Sequence, residues 1–385
     1  MEKRYSYFQP QYVNPFKCDG SKCNAYCCCR GWNVFVDKDT YNQYSQLDSQ
    51  EITSRLKFNS DKGEYVIELD GKACPFLNEK KLCRIQLEHG ENFLSATCAT
   101  YPRVTSDFGY FFERSLTLSC PVAAKLILFR NKPLTFELVE VSEQVHSPGG
   151  KIFLQSIQAT EELKAHIIEI QAAMISILQE RTLSIDQRLI LLVFFVDRLE
   201  EIFSDFDEVA LIKLISAYES KKFLKEQVPL ILQSVSFDIK KFVCLMLELL
   251  KKFFDEETLP EDKKFIKSVS ETFQHLPNKK FFLAKYSTFL ENYLVNELIL
   301  NIYPWKFEGS LTQNILAFVA EYKLFELIIF SATFKGSSKK ELIELTGWFA
   351  TRFDHTGEYK RIIFEHFNDM NEPFNLIESL LDDSD

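Results

Sequence analysis

Nine of the ten cysteines lie between Cys18 and Cys120, and five of them fall within Cys18–Cys29. The array comprises Cys18, Cys23, Cys27, Cys28, Cys29, Cys74, Cys83, Cys98 and Cys120, whereas the remaining 265 residues hold only Cys244. A buried structural thiol behaves as a small hydrophobe and scatters over a core. Thiolates gathered into a third of a chain point instead to a soft metal ion or an iron–sulfur cluster. Each such site typically takes four ligands, so nine candidates suffice for two sites, or for one site with cysteines to spare. Pairs such as Cys18/Cys23 and Cys23/Cys27 chelate well, because the second ligand arrives at little added chain entropy. Adjacent Cys27, Cys28 and Cys29 diverge and are not expected to meet at one ion.

The spacing excludes several familiar sites. There is no CxxC…CxxC pattern of a zinc ribbon and no bacterial ferredoxin run. The radical-type triad CxxxCxxC fails because Arg30 stands where its third cysteine belongs. Histidines are few, and His89 is the only one in the cysteine-rich part. Methyltransferases of the dinucleotide-fold type need a Gly-rich turn after a strand; this chain has 12 glycines and no such fingerprint.

The rest of the chain must position these thiols. Its 385 residues are 46% hydrophobic and 26% charged, enough to bury a substantial core. The net charge of −10 argues against a general nucleic-acid binder. Residues 1–125 carry 16 Lys/Arg against 15 Asp/Glu, and the remainder 29 against 40, so the later part holds nearly all the excess acidity. The first residues lack an apolar signal region. The longest apolar run, Leu189–Val196, is eight residues, far short of the roughly 20 of a membrane span. A cytoplasmic protein with no membrane and no nucleic-acid partner is expected, and reduced thiols there favour a metal site over disulfides.

The pattern predicts an α+β, mostly α chain. Residues 1–145 form a small, irregular, cysteine-rich metal-binding domain, and residues 151–385 an irregular helical bundle. In the first part, strands are expected at Trp32–Val36, Tyr65–Leu69 and around Tyr110–Leu118, with one or two helices over Tyr41–Phe58. Lys132–Val141 alternates like a strand, and His146–Gly150 is the best linker. Beyond it, period 3.6 predicts helices at Ile157–Arg181, Ser184–Phe206, Glu208–Ser220, Asp238–Phe254, Glu261–His275, Lys279–Asn296, Leu311–Phe330 and Ser338–Phe353. Ser184 with Gln187 makes a capping box.

The segments Phe16–Trp32, Cys74–Cys83, Thr97–Arg103 and Glu113–Pro121, with Glu291–Asn296 and Tyr303–Trp305 later on, resemble the flagellin lysine-N-methylase family. Smaller cysteine-motif iron- or zinc-binding proteins share the first of these segments. The triple Cys27–Cys29 holds one cysteine more than the double expected there. The resemblance implies methyl transfer from S-adenosylmethionine to lysines of flagellin or a similar surface protein. It also implies an iron–sulfur cluster, 4Fe-4S in type, with zinc as the alternative metal. A non-catalytic redox or interaction protein is the competing reading.

An acceptor lysine attacks only when neutral, and its ordinary pKa is about 10.4, so the site needs desolvation or a base. Glu113, Glu291 and Tyr293 are the candidate catalytic residues because they sit in the family segments. Arg103, Tyr101 and Trp32 are the candidate cofactor-binding residues: Arg103 for a carboxylate, and Trp32 also as packing that excludes water.

Overall fold

The computed structural model describes residues 4–23, 26–47, 49–109, 111–141, 165–233, 279–355 and 358–368, with scattered helical positions between 241 and 249. The architecture is α+β and mostly α. Two compact units divide the chain, residues 1–126 with 135–152, and residues 127–134 with 153–385. No sequence pattern announced the excursion of 127–134 into the helical unit. The linker at His146–Gly150 lies outside the described residues, as do most of the helices expected at Asp238–Phe254 and Glu261–His275.

The first unit is built on two small sheets. In one, strand β1 (Tyr5–Pro10) lies between β6 (Phe112–Leu116), to which it runs parallel, and β7 (Phe136–Val141), antiparallel; β5 (Arg103–Asp107) pairs on the outside of β6. In the other, β4 (Glu64–Ile67) lies between β2 (Phe35–Val36) and β3 (Leu56–Asn59). Leu56–Phe58 were expected to end a helix, but they pair with Tyr65–Ile67 in a hairpin. Gly63, at φ +68°, turns that hairpin in a conformation glycine adopts without strain. The expected helices shorten to α1 (Lys38–Gln46) and α2 (Gln50–Thr53). Short helices α3 (Arg84–His89) and α4 (Ala96–Thr100) follow, then α5 (Pro121–Leu128). A small core of Val34, Val36, Tyr44, Ile52, Ile67, Phe76 and Ile85 packs against Trp32, Cys74 and Cys83.

The second unit is helical: α6 (Ile167–Leu178), α7 (Ile185–Ser204), α8 (Glu208–Glu219), α9 (Lys221–Glu226), α10 (Val228–Gln233), α11 (Lys279–Leu300), α12 (Leu311–Phe334), α13 (Lys339–Phe353) and α14 (Glu358–Asn368). The Ser184–Gln187 capping box forms as read. Helix α12 is the hub, packed by α7, α11, α13 and α14 and buried on every side from Leu311 to Ser331, apart from Gln313. Such a helix cannot leave charges unpaired. Lys323 pairs with Asp186 and, at 3.3 Å, with Glu326. Glu321 takes the Lys360 ammonium at 2.5 Å and the Tyr293 and Tyr303 hydroxyls at 3.4 Å.

Lys360 is itself fully buried, with Asp354 at 3.1 Å and Glu297 at 3.7 Å, so α14 is pinned through one ammonium to three acids. Burial first, and the neighbouring Asp354 charge second, hold the Glu297 carboxyl well above its ordinary pKa. A carboxyl so raised stabilises fully below its unfolded pKa of about 4.3, and that contribution is lost as pH rises through the folded value. Glu297→Gln is therefore expected to keep the fold and flatten the loss of melting temperature toward alkaline pH. Lys360→Ala, which strands the acids, is expected to cost about 3–5 kcal/mol in urea unfolding. Melts across pH that leave Glu297→Gln as pH-sensitive as the wild type would contradict this.

Candidate metal centre

Cys27–Cys29 form a single 3-10 turn. At three residues per turn, neighbouring side chains diverge by roughly 120°. Cys27 and Cys28 line a cavity of ≈ 90 Å³, with their Sγ atoms 3.7 Å apart; Cys29 is not among its lining residues. Arg30 stacks its guanidinium 3.7 Å from the Tyr26 ring centre and braces the turn. Gly31 then reverses the chain at φ +79°, where a Cβ would sit 3.2 Å from Lys72 Cγ.

Cys74 enters from the next loop, its backbone N–H donating to the Cys28 carbonyl at 2.8 Å. The 74–83 loop closes on itself: Leu77 bridges Cys83, and the Asn78 side chain accepts from the Lys80 and Leu82 backbones. Phe76, buried in the core, anchors it. Cys98 comes from α4, whose N-cap Ser95 accepts the Cys98 N–H at 3.4 Å. Asp37 caps α1 through Thr40 and also accepts the Ala96 N–H at 3.2 Å, tying the two helices together. Although burial works to raise it, these hydrogen bonds hold the Asp37 carboxyl below its ordinary pKa.

Cys27, Cys28, Cys74 and Cys98 thus reach one cavity from three separate segments, with Val34, Leu69 and Trp32 as apolar walls. Cys98 has solvent-accessible surface, but protein surrounds it, and burial pushes its thiol up to about 12. Burial likewise pushes Cys74 up to about 11 and Cys120 to about 12. The hydrogen bond between the Cys27 and Cys28 sulfurs brings Cys27 down to about 7 and pushes Cys28 up. Beside burial, neighbouring thiols add to these rises: Cys83, Cys29 and Cys27 at Cys74, and Cys27 and Cys23 at Cys120.

Four thiols around one cavity are the donor type that a thiolate-ligated metal group would use. Zinc–sulfur bonds of about 2.3 Å place tetrahedral sulfurs roughly 3.8 Å apart. Among the described residues no three cysteine sulfurs lie within 4.8 Å of one another. The cavity is small beside the roughly 300–1,000 Å³ of ordinary small-molecule sites, so it has room for a compact inorganic group but not for a whole nucleoside as well.

Among the candidate cofactor-binding residues, Trp32 and Tyr101 line the cavity, with ring centres 5.6 Å apart. The Tyr101 hydroxyl shares a 3.0 Å hydrogen bond with Ser119, and burial holds its pKa well above the ordinary value. Arg103 does not line the cavity; it donates to the Phe16 carbonyl at 3.2 Å, two residues before Cys18. The three candidate catalytic residues lie elsewhere. Glu113 is buried in β6, opposite Phe8 and Ser106. Glu291 belongs to the second unit and is clamped by Arg181 at 2.7 Å and Arg188 at 2.9 Å, a buried structural ion pair. Tyr293, also in the second unit, stacks on Phe325 at 3.7 Å and does not partner Glu291. Lys72 and Thr97 line the cavity and were not singled out from sequence; only their nearness to Cys74 and Cys98 in the chain hinted at them.

A family model, the FliB lysine N-methylase C-terminal domain, matches residues 171–381, more than half of the chain. The chain belongs to that family. It is 35% identical over 136 residues to the flagellar biosynthetic protein FliU of Salmonella muenchen, covering 33% of this chain and 79% of that protein. It is 34% identical over 148 residues to the lysine-N-methylase of Salmonella typhimurium and, equally, to that of Salmonella choleraesuis, covering 36% of this chain and 36% of each of those. No solved structure matches the chain. Among the described residues no helix is long and apolar enough to cross a membrane.

Gly31→Ala is expected to lower stability by about 1–2 kcal/mol, through left-handed backbone strain and the push on Lys72. Urea unfolding checks this; a loss within experimental error would contradict the tight approach of the two segments.

Proposed function

We propose that this chain is a protein lysine N-methylase that uses S-adenosylmethionine and a cysteine-ligated iron–sulfur cluster, 4Fe-4S in type, to methylate flagellin or a similar surface protein in the cytoplasm. The observation that carries this reading is the convergence of Cys27, Cys28, Cys74 and Cys98 on one compact, apolar-walled cavity, in a chain of the lysine N-methylase family. Three of those thiolates would hold the cluster, leaving one iron with an open coordination position. Once bound, it supplies a Lewis-acidic anchor for the amino and carboxylate groups of the methyl donor.

The chain's own residues do the rest. Trp32, Val34 and Leu69 exclude water, which disfavours an ammonium at the mouth and favours the neutral, nucleophilic amine. Tyr101, held protonated, serves as a hydrogen-bonding and positioning group and not as a base. In the transfer, the amine lone pair takes the methyl, the C–S pair stays with the departing thioether, and the new N-methyl ammonium gives its proton to water. Catalysis of this kind is mainly positioning. The cavity's small volume would alternatively suit a chain that holds its metal group for redox or interaction purposes alone.

The test is transfer of labelled methyl from S-adenosylmethionine to purified flagellin by the full chain, kept anaerobic. Lysine peptides should gain the label. Cys28→Ser, Cys74→Ser and Cys98→Ser should each lose transfer together with bound iron, whereas Cys244→Ser, at an exposed position, should keep both. Iron binding without any transfer would favour the non-catalytic reading, and full activity in the Cys74→Ser protein would sink the cavity's role.

A further inference from the structure

The second unit carries a groove of ≈ 510 Å³, within the usual range of small-molecule sites. Arg130, Lys285 and Lys339 line it, with Tyr286, Thr288 and Ser337, and no Asp or Glu is among its lining residues. Among the described residues these three cations make no ion pair. Lys285 and Lys339 are exposed and Arg130 is half-buried, so their charges face the groove without a carboxylate to neutralise them. Arg130 Nε is buried with no hydrogen-bond partner, an arrangement that disfavours the empty groove. Its backbone is nevertheless held fast, since the Arg130 carbonyl accepts from Asn292 Nδ2 at 2.9 Å.

Aromatic faces position the other two charges. Lys285 Nζ stands 5.3 Å from the Tyr286 ring centre, and Lys339 Nζ 5.3 Å from that of Phe129. Lys339 also opens the fifteen-residue helix α13, whose positive end adds to the field.

We propose that this groove binds a phosphate-bearing small molecule. The Arg130 fork and the two ammonium groups would take the phosphate oxygens, with the Thr288 and Ser337 hydroxyls as further donors. Three cations around one compact space call for a ligand carrying at least two negative charges, and a planar guanidinium matches phosphate geometry. The concave shape and the chain's net charge of −10 disfavour a nucleic-acid backbone as the occupant. The site is separate from the cysteine cavity, so its failure would leave the methylase reading standing.

The test is calorimetric titration of the full chain with pyrophosphate at low salt, against Arg130→Gln and the double variant Lys285→Gln/Lys339→Gln. Neither set of side chains joins an ion pair among the described residues, so both variants should melt like the wild type without ligand. The expected result is saturable binding that weakens by about tenfold or more in each variant. No binding at millimolar pyrophosphate would overturn the proposal. So would binding that both variants retain, which would mark it as diffuse charge attraction.

Discussion

Burial raises the thiols of Cys74, Cys98 and Cys120 above their ordinary value, so gathering them disfavours bare thiolates and favours a partner cation. Much of the unit's design follows from bringing such groups together. The 3-10 turn at Cys27–Cys29 presents two of its three sulfurs to the cavity, and Gly31 lets the following chain approach Lys72. The Cys74–Cys83 loop is anchored by Phe76 and pinned to the Cys28 carbonyl, while Asp37 ties the Cys98 helix to α1. The apolar core beneath is short. In small metallo-domains ligation adds directly to folding free energy, as the proposed centre would here.

The helical unit answers a related constraint with ion pairs. Helix α12 places Glu321, Lys323 and Glu326 in the interior; Glu326 meets Lys323 on the same helix, while Lys323 and Glu321 also find counter-charges in distant segments. Asp186 and Lys360 supply them, and Glu291 with Arg181 and Arg188 makes a comparable clamp between α11 and the start of α7. Replacing one partner leaves a buried charge uncompensated, which costs more than the intact pair contributes. The groove around Arg130 differs in kind: its cations are exposed or half-buried, and no Asp or Glu is among its lining residues.

Much of this was legible in the sequence. Thiol clustering is a matter of composition, so the cavity's four cysteines were all among the nine candidates, and Trp32 and Tyr101 were named beside them. Long amphipathic or wholly apolar stretches announced α7, α11, α12 and α13 to within a few residues. What failed was non-local. Strand β1 pairs in parallel with β6 a hundred residues away, and Tyr5–Pro10 shows no alternation to reveal it. Residues 56–58 have an apolar spacing that suits a short helix as well as a hairpin, and only pairing with Tyr65–Ile67 decides between them. Glu113 and Glu291 sit in family segments and read as catalytic, and neither is among the residues lining the cysteine cavity. Glu291's two arginine partners lie 103 and 110 positions away, where no local pattern could expose them.

The account rests on sulfur ligation in the first unit. Its most direct test is to purify the full chain without oxygen and quantify iron, acid-labile sulfide and zinc per chain, alongside the visible absorption spectrum. Iron with matching sulfide, lost when Cys28, Cys74 and Cys98 are replaced together, is the predicted result. Zinc without sulfide, or a folded chain that binds neither metal, would contradict it.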